Sequence, residues 1–113
     1  MKIDLPQGTL ETLILKTLSW SAQHGYGIGR AIERTSGDTL TIEEGSLYPA
    51  LHRMEKRGWI TAEWRQTENN RRGKYYSLTA EGRKQFAAQS QTWSSLVQSV
   101  GRVLQASQPV LQG

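Results

Sequence analysis

The sequence predicts a mainly α-helical domain with one small β-hairpin. Apolar residues recur at helical spacing in four segments, whereas two short runs near residues 60 and 75 alternate with a period of two. A polar, turn-rich stretch separates those two runs. Because 113 residues is the size of one small domain, we expect these elements to share a single core.

The first two helices are short and closely spaced. Residues at helical spacing predict a first helix from about Thr9 to Ala22, with Thr9 as its N-cap and Glu11 in its first turn. The glycine-rich stretch 24–27 should end that helix, and a second helix should then run to about Ser36. The apolar positions are Leu10, Leu13, Ile14, Thr17 and Leu18 in the first helix and Ile28, Ala31 and Ile32 in the second.

The third helix has two chemically different faces. It should begin near residues 44–46, with Pro49 tolerated in its first turn, and it should end at Gly58. The buried stripe is Leu47, Leu51 and Met54, and the opposite face holds Gly45, Pro49, His52, Arg53 and Lys56, with Ser46 and Tyr48 on its flanks.

The period changes to two at Trp59, which predicts a β-hairpin with a basic tip. Residues 66–73 should form the loop, and Lys74–Leu78 should form the second strand with Tyr76 and Leu78 on one face. In the first strand, Ile60, Ala62 and Trp64 are expected to face the core, and Thr61, Glu63 and Arg65 to face solvent.

A last helix carries an apolar stripe. Thr79 should cap this helix, and the tail that follows it should be frayed. So short a chain offers the stripe no obvious partner; the first helix could cover part of it, and we expect a second copy of the chain to cover the rest in a two-fold dimer. A helix packed on its own domain would show the same pattern. The stripe consists of Phe86, Trp93, Val97, Val100 and Leu104.

The charge is concentrated in the middle of the chain. The net charge is +4, and residues 53–84 alone hold nine basic and four acidic side chains. A local basic region fits a phosphate backbone, although charge alone more often marks a solvated surface that keeps a protein soluble. The absence of cysteine excludes disulfides and thiolate metal sites, and no segment reads as a membrane span or signal peptide. We expect a soluble cytoplasmic protein without a cofactor or a bound metal.

No enzymatic motif is complete. The glycines at 25, 27 and 29 follow a helix instead of a strand, and Arg30 stands next, so the dinucleotide-binding fingerprint fails. His24 and His52 have no carboxylate or cysteine at metal-ligand spacing, which favours roles in a turn or a groove. We therefore expect a protein that is not an enzyme.

The order of three helices, strand, basic loop and strand is that of a winged helix-turn-helix, here followed by a C-terminal helix. Five motifs, found in order from Leu5 to Gly82, resemble the PadR family of transcriptional regulators. These motifs are Leu5-Pro6-Gln7-Gly8-Thr9-Leu10, His24-Gly25-Tyr26-Gly27-Ile28, Glu44-Gly45-Ser46-Leu47-Tyr48-Pro49-Ala50-Leu51, Glu55-Lys56-Arg57-Gly58-Trp59-Ile60 and Tyr75-Tyr76-Ser77-Leu78-Thr79-Ala80-Glu81-Gly82.

The resemblance implies a homodimeric regulator, usually a repressor, that binds an inverted-repeat operator and is released by a small molecule or another signal. Residues 1–78 would form the DNA-binding domain, residues 79–106 the dimerisation helix and residues 107–113 a flexible tail. In some relatives a tryptophan on this helix lines a drug-binding pore, and Trp93 occupies a similar place, although an aromatic residue in such a stripe is more often dimer core.

Resemblance and helix geometry together place part of the third helix against DNA. Tyr26 at the start of the second helix should favour a phosphate, and basic side chains on the wing should add backbone contacts. A winged helix used only for protein contacts and a dimer that mainly binds a small molecule are the alternatives. The expected DNA-binding residues are Tyr26, Ser46, Tyr48, Pro49, Arg53, Arg71, Arg72 and Lys74.

Overall fold

The computed structural model describes residues 5–6, 8–66 and 69–111. Within these residues the elements are α1 (Thr9–Trp20), β1 (Gln23–His24), α2 (Gly25–Thr35), α3 (Glu44–Lys56), β2 (Ile60–Gln66), β3 (Arg72–Leu78) and α4 (Ala80–Gln105). The strands form an antiparallel sheet in the order β1-β3-β2. The predicted fold, mainly helical with a β-hairpin wing, is confirmed. Gln7 of the first motif, Thr67 and Glu68 of the predicted loop and residues 112–113 of the predicted tail lie outside the described residues.

Several predicted boundaries shift. The N-cap of α1 is Gly8, with φ of 86°, and Thr9 is the first helical residue, so the prediction of Thr9 as the cap was wrong. The helix ends at Trp20, two residues before the predicted end. Strand β3 begins at Arg72 instead of Lys74, which lengthens the hairpin and shortens its loop. Strand β1 was not predicted, because two residues are too few to show a period.

The core lies where α1, α2 and α3 meet the base of the hairpin. The predicted stripe of α3 is fully buried, and Leu15 of α1, which the helical pattern did not single out, is buried as well. Burial of these side chains supplies most of the driving force for folding. The buried apolar residues are Ile14, Leu15, Leu18, Ile28, Ile32, Leu47, Ala50, Leu51, Met54, Ile60 and Tyr76.

Pro49 lies deeper in α3 than expected. The helix begins at Glu44, so Pro49 is its sixth residue and belongs to the second turn. Proline has no amide hydrogen, and the carbonyl of Gly45 therefore receives no helical hydrogen bond from position 49. Both residues are exposed, and water can satisfy that carbonyl. The interruption thus falls on the solvent face and leaves the buried face intact.

Helix α4 is docked through its first turn. Thr79 caps it as predicted, because its hydroxyl accepts a hydrogen bond of 3.0 Å from the amide of Gly82. The amide of Thr79 also donates to the carbonyl of Trp59, at 3.1 Å, in the turn after α3. Farther along, the Thr12 hydroxyl on α1 bonds Gln89 on α4. Beyond that point most of the 26-residue helix is exposed.

The described part of the chain contains no helix with the length and apolar character that a bilayer crossing requires.

Candidate nucleic-acid interface

The face of α3 opposite its buried stripe is open to solvent. The side chains opposite the buried stripe are exposed as predicted, and one cleft lies on each side of them. One cleft, of about 590 Å³, separates α3 from the hairpin, and we call it the wing groove. The other, of about 510 Å³, separates α3 from the start of α1, and we call it the α1 cleft. The exposed residues are Gly45, Ser46, Tyr48, Pro49, His52, Arg53 and Lys56.

The wing groove brings together most of the predicted DNA-binding residues. Its walls are the start of α2, one flank of α3 and the inner face of the hairpin. Asn69 and Gly73 also border it near the hairpin tip. The predicted residues that line the wing groove are Tyr26, Tyr48, Arg71, Arg72 and Lys74, whereas Ser46, Pro49 and Arg53 line the α1 cleft.

Trp64 lies in the wing groove, not in the core. It has the facing that the strand alternation predicts, but 59% of its surface is exposed, so the predicted burial was wrong. The reason is geometric, because β2 and β3 continue past the edge of the helical body. At the base of the hairpin the same face holds Ile60 and Tyr76 in the core, and nearer the tip it holds Trp64.

The start of α2 is built closely around two aromatic side chains. Nδ1 of His24 accepts a hydrogen bond of 3.0 Å from the amide of Gly27 and so caps the helix. His24 is therefore a capping residue at the end of β1, and it also lines the wing groove. The Tyr48 ring lies against Gly25, where a Cβ atom would come within 2.7 Å of Cε1 of that ring. A larger residue at position 25 would therefore push the Tyr48 ring away from this place.

Lys74 on the wing is paired with a carboxylate of α3. Nζ of Lys74 lies 3.3 Å from a carboxylate oxygen of Glu55, which ties the wing to α3. Its neighbour Tyr76 is buried, and that burial raises the pKa of the Tyr76 hydroxyl above its ordinary value. The tyrosine therefore stays protonated.

A carboxylate on α1 holds two arginines, one of which, Arg53, lines the α1 cleft. Glu11 on α1 lies 3.3 Å from Arg53 and 3.3 Å from Arg57, one oxygen to each guanidinium. The Glu11 side chain is only 14% exposed, whereas both arginines are about half exposed. Sequence patterns did not indicate this contact, since it joins residues 42 positions apart. Arg53 thus lies on the predicted face, but with its guanidinium directed by α1.

Comparison with known proteins gives a family. A model described as the "Transcriptional regulator PadR-like family" matches residues 14–88, which is more than half of the chain. The chain belongs to the PadR-like family. The resemblance drawn from the five motifs is therefore confirmed.

Solved structures agree with this fold over most of the chain. A PadR-like regulator from Bacillus cereus is 29% identical, with a TM-score of 0.77 over 88% of this chain and 95% of its own. A transcriptional regulator from Clostridium thermocellum is 29% identical, with a TM-score of 0.76 over 85% and 93%. A protein from Streptococcus mutans is 28% identical, with a TM-score of 0.80 over 96% and 99%.

Membership of the PadR-like family establishes a transcriptional regulator and implies DNA binding. The family is not enzymatic, as the sequence predicted. A helix that reads DNA needs an exposed face beside basic groups, and the face of α3 opposite its buried stripe has both. His52 and Lys56 are centred on that face, yet they were not among the predicted DNA-binding residues.

The stripe on α4 divides into two parts in this PadR-family chain. Phe86 packs against the core of its own domain, and Trp93 is half-buried beside α1. Val97, Val100 and Leu104 are exposed in the described chain. Leu96 and Val103 add to the exposed apolar surface, although the predicted stripe did not include them.

Proposed function

We propose that this PadR-family regulator is a homodimeric repressor that acts in the cytoplasm, binds an inverted-repeat operator and is released by an effector. The observation that carries the proposal is the uncovered face of α3 beside a groove whose wing wall holds Arg71, Arg72 and Lys74. A reading helix next to a basic wing fits a major groove flanked by phosphates.

The proposed contacts divide by chemistry. Arg53 can donate to O6 and N7 of guanine, a contact worth about 1 to 3 kcal/mol of discrimination. Tyr26 and Tyr48 present hydroxyl groups that can donate to phosphates on the wing side. Ser46 can donate to a base or a phosphate, and Pro49 offers apolar contact to a thymine methyl group.

The proposed dimer uses α4. We assign residues 1–78 to DNA binding, 79–106 to dimerisation and 107–113 to a tail. The exposed valines and leucines of α4 form an apolar face that a two-fold partner would cover with the same face. Such a dimer would place its two reading helices on half-sites about one helical turn apart.

Release by an effector requires a ligand site, and we place it in the apolar cleft between α1 and α4. This cleft has a volume of about 560 Å³, which suits a small organic molecule. Leu13 on α1 and Phe86 and Trp93 on α4 supply its apolar walls. A ligand there would touch the helix proposed to set the spacing of the two reading helices.

The test of the proposed function is a DNA-binding titration over a series of salt concentrations. One probe is a duplex from the region upstream of the protein's own gene, and the other is an unrelated duplex of equal length. We expect tighter, salt-sensitive binding to the upstream duplex. Equally weak, salt-insensitive binding to both would contradict the proposal and favour a winged helix that serves protein contacts.

Removing the basic tip of the wing should weaken binding to every sequence. We expect the double variant Arg71→Ala, Arg72→Ala to flatten the slope of log affinity against log salt by about 2 per wing, because each phosphate contact contributes about one unit. Arg34→Ala, an exposed cation in the last turn of α2, is the control and should keep the slope. An unchanged slope in the double variant would rule out phosphate contacts by these arginines.

Neutralising Glu11 should make binding less selective. Glu11→Gln frees Arg53 and Arg57 for phosphates and removes a negative charge beside the reading helix. We expect affinity for the unrelated duplex to rise about tenfold at low salt, with a slope steeper by about 1 to 2 units and less discrimination. Glu81→Gln, in the first turn of α4, is the control. Wild-type affinity and slope in Glu11→Gln would show that the ion pairs do not restrain the arginines.

A further inference from the structure

The inner face of the hairpin changes its role along its length. In the register of β2 and β3, Ala62 faces Tyr76 and Trp64 faces Lys74, so these four side chains lie on one face of the hairpin. Tyr76 is buried, whereas Trp64 lies beyond the helical body. The face that completes the core at its base therefore forms a wall of the wing groove nearer its tip.

Trp64 is held in place on this wall. The guanidinium of Arg72 lies 5.5 Å from the centre of its indole ring, within the range of a cation–π contact. Even so, 59% of Trp64 is exposed, in the same groove as Tyr26 and Tyr48. A large exposed aromatic side chain among polar groups commonly marks a binding surface.

The charges around Trp64 indicate what could cover it. Arg71, Arg72 and Lys74 border the same groove, so its occupant should carry negative charge and also present an apolar surface to the indole. The backbone of DNA combines both properties, since phosphates alternate with deoxyribose rings. A wing contacts this backbone where it borders the minor groove.

We propose that Trp64 is a DNA-contact residue. Its indole packs against a deoxyribose of the DNA strand that occupies the wing groove. This inference rests on the proposed function. It adds a contribution of the wing to DNA affinity that does not depend on the salt concentration. Arginine and lysine contacts release counterions and weaken as salt rises. An apolar contact with a sugar releases none.

The test compares two equally exposed tryptophans. Trp64→Ala and Trp20→Ala are titrated against the upstream duplex and the unrelated duplex over the same salt series. Trp20 is 58% exposed, lies at the end of α1 and has Nζ of Lys16 at 5.0 Å from its ring, so it also carries a cation–π contact. We expect Trp64→Ala to lower affinity about tenfold for both duplexes at every salt concentration with an unchanged slope, and Trp20→Ala to match the wild type.

The slope separates contact from positioning. Arg72→Ala should reduce the slope by about one unit per wing, because it removes a phosphate contact. If Trp64→Ala reduces the slope to the same extent, Trp64 only positions Arg72, and the proposed contact with DNA is wrong. Wild-type affinity in Trp64→Ala would also overturn it. Circular dichroism of Trp64→Ala and Trp20→Ala should match the wild type, since neither tryptophan side chain is buried.

Tryptophan fluorescence tests the contact directly, because a tryptophan with a purely structural role would not change its emission when DNA binds. The chain has four tryptophans, and we expect DNA to change the emission of the one that it covers. Trp64→Phe should lose most of the DNA-dependent change in emission, whereas Trp20→Phe should keep it. A full change in Trp64→Phe would overturn the inference alone. If the wild type binds neither duplex, the proposed function and the inference fall together.

Discussion

Gly82→Ala should lower the free energy of unfolding by about 3 kcal/mol or more. Gly82 lies in the first turn of α4 and is buried against the turn that follows α3. A Cβ atom at this position would overlap the carbonyl oxygen of Trp59 and lie 3.1 Å from the side chain of Leu78. The carbonyl belongs to the backbone and accepts the amide hydrogen of Thr79, so it cannot move without breaking that contact. Urea unfolding followed by circular dichroism at one fixed protein concentration measures the loss.

Gly45→Ala is the matched control for this variant. Gly45 also lies in the first turn of a helix, α3, but a Cβ atom there would meet no other atom within 4 Å. Alanine loses less backbone entropy than glycine on folding, so this variant should be as stable as the wild type or more stable by up to about 1 kcal/mol. Equal stability of Gly82→Ala and Gly45→Ala would mean that the first turn of α4 does not dock on the Trp59 carbonyl.

Gly82 also shows where sequence reasoning ends. The cap at Thr79 could be predicted, because a threonine before a helical pattern satisfies a local geometry. The need for glycine three residues later could not, because the atom that excludes a side chain belongs to Trp59. The ion pair of Glu11 with Arg53 has the same origin, since it joins two helices that only tertiary packing brings together.

In the hairpin, the side of the strand on which a residue lies could be predicted from the sequence, but its burial could not. Alternation correctly indicated which side of β2 Trp64 occupies, because side chains alternate along any strand. It did not indicate burial, because the length of strand beyond the helical body depends on where α3 and α4 lie. The three stripe residues predicted for α3 are all buried, since they recur at helical spacing over about two turns, and Ala50 between them is buried as well.

Val97→Glu should dissociate the proposed dimer. The Val97 side chain is 59% exposed in the single chain, and it lies on the α4 face that also carries Val100 and Leu104. A glutamate buried there without a partner should weaken the free energy of dimerisation by about 3 to 5 kcal/mol. A two-fold interface contains the substitution twice. We expect the dissociation constant to rise more than about 1,000-fold, which sedimentation velocity at micromolar concentration measures.

Ser95→Glu is the control, because it places the same charge on the same helix. Ser95 is exposed and lies on the side of α4 opposite Val97. This variant should sediment like the wild type. Circular dichroism of both variants should keep the helical signal, since α4 is anchored by its first turn and not by position 97. A Val97→Glu protein that sediments as a dimer at micromolar concentration would contradict the proposed interface.

Loss of the dimer should also change DNA binding in a way that loss of the fold would not. A dimer holds its second DNA-binding surface near the operator after the first has bound, which raises affinity by about 100- to 10,000-fold. A folded Val97→Glu monomer should therefore bind the upstream duplex more weakly by that factor. Its slope against salt should be about half that of the wild type, because it makes half of the phosphate contacts. An unfolded protein would bind neither duplex, and a dimer formed through another surface would keep the full slope.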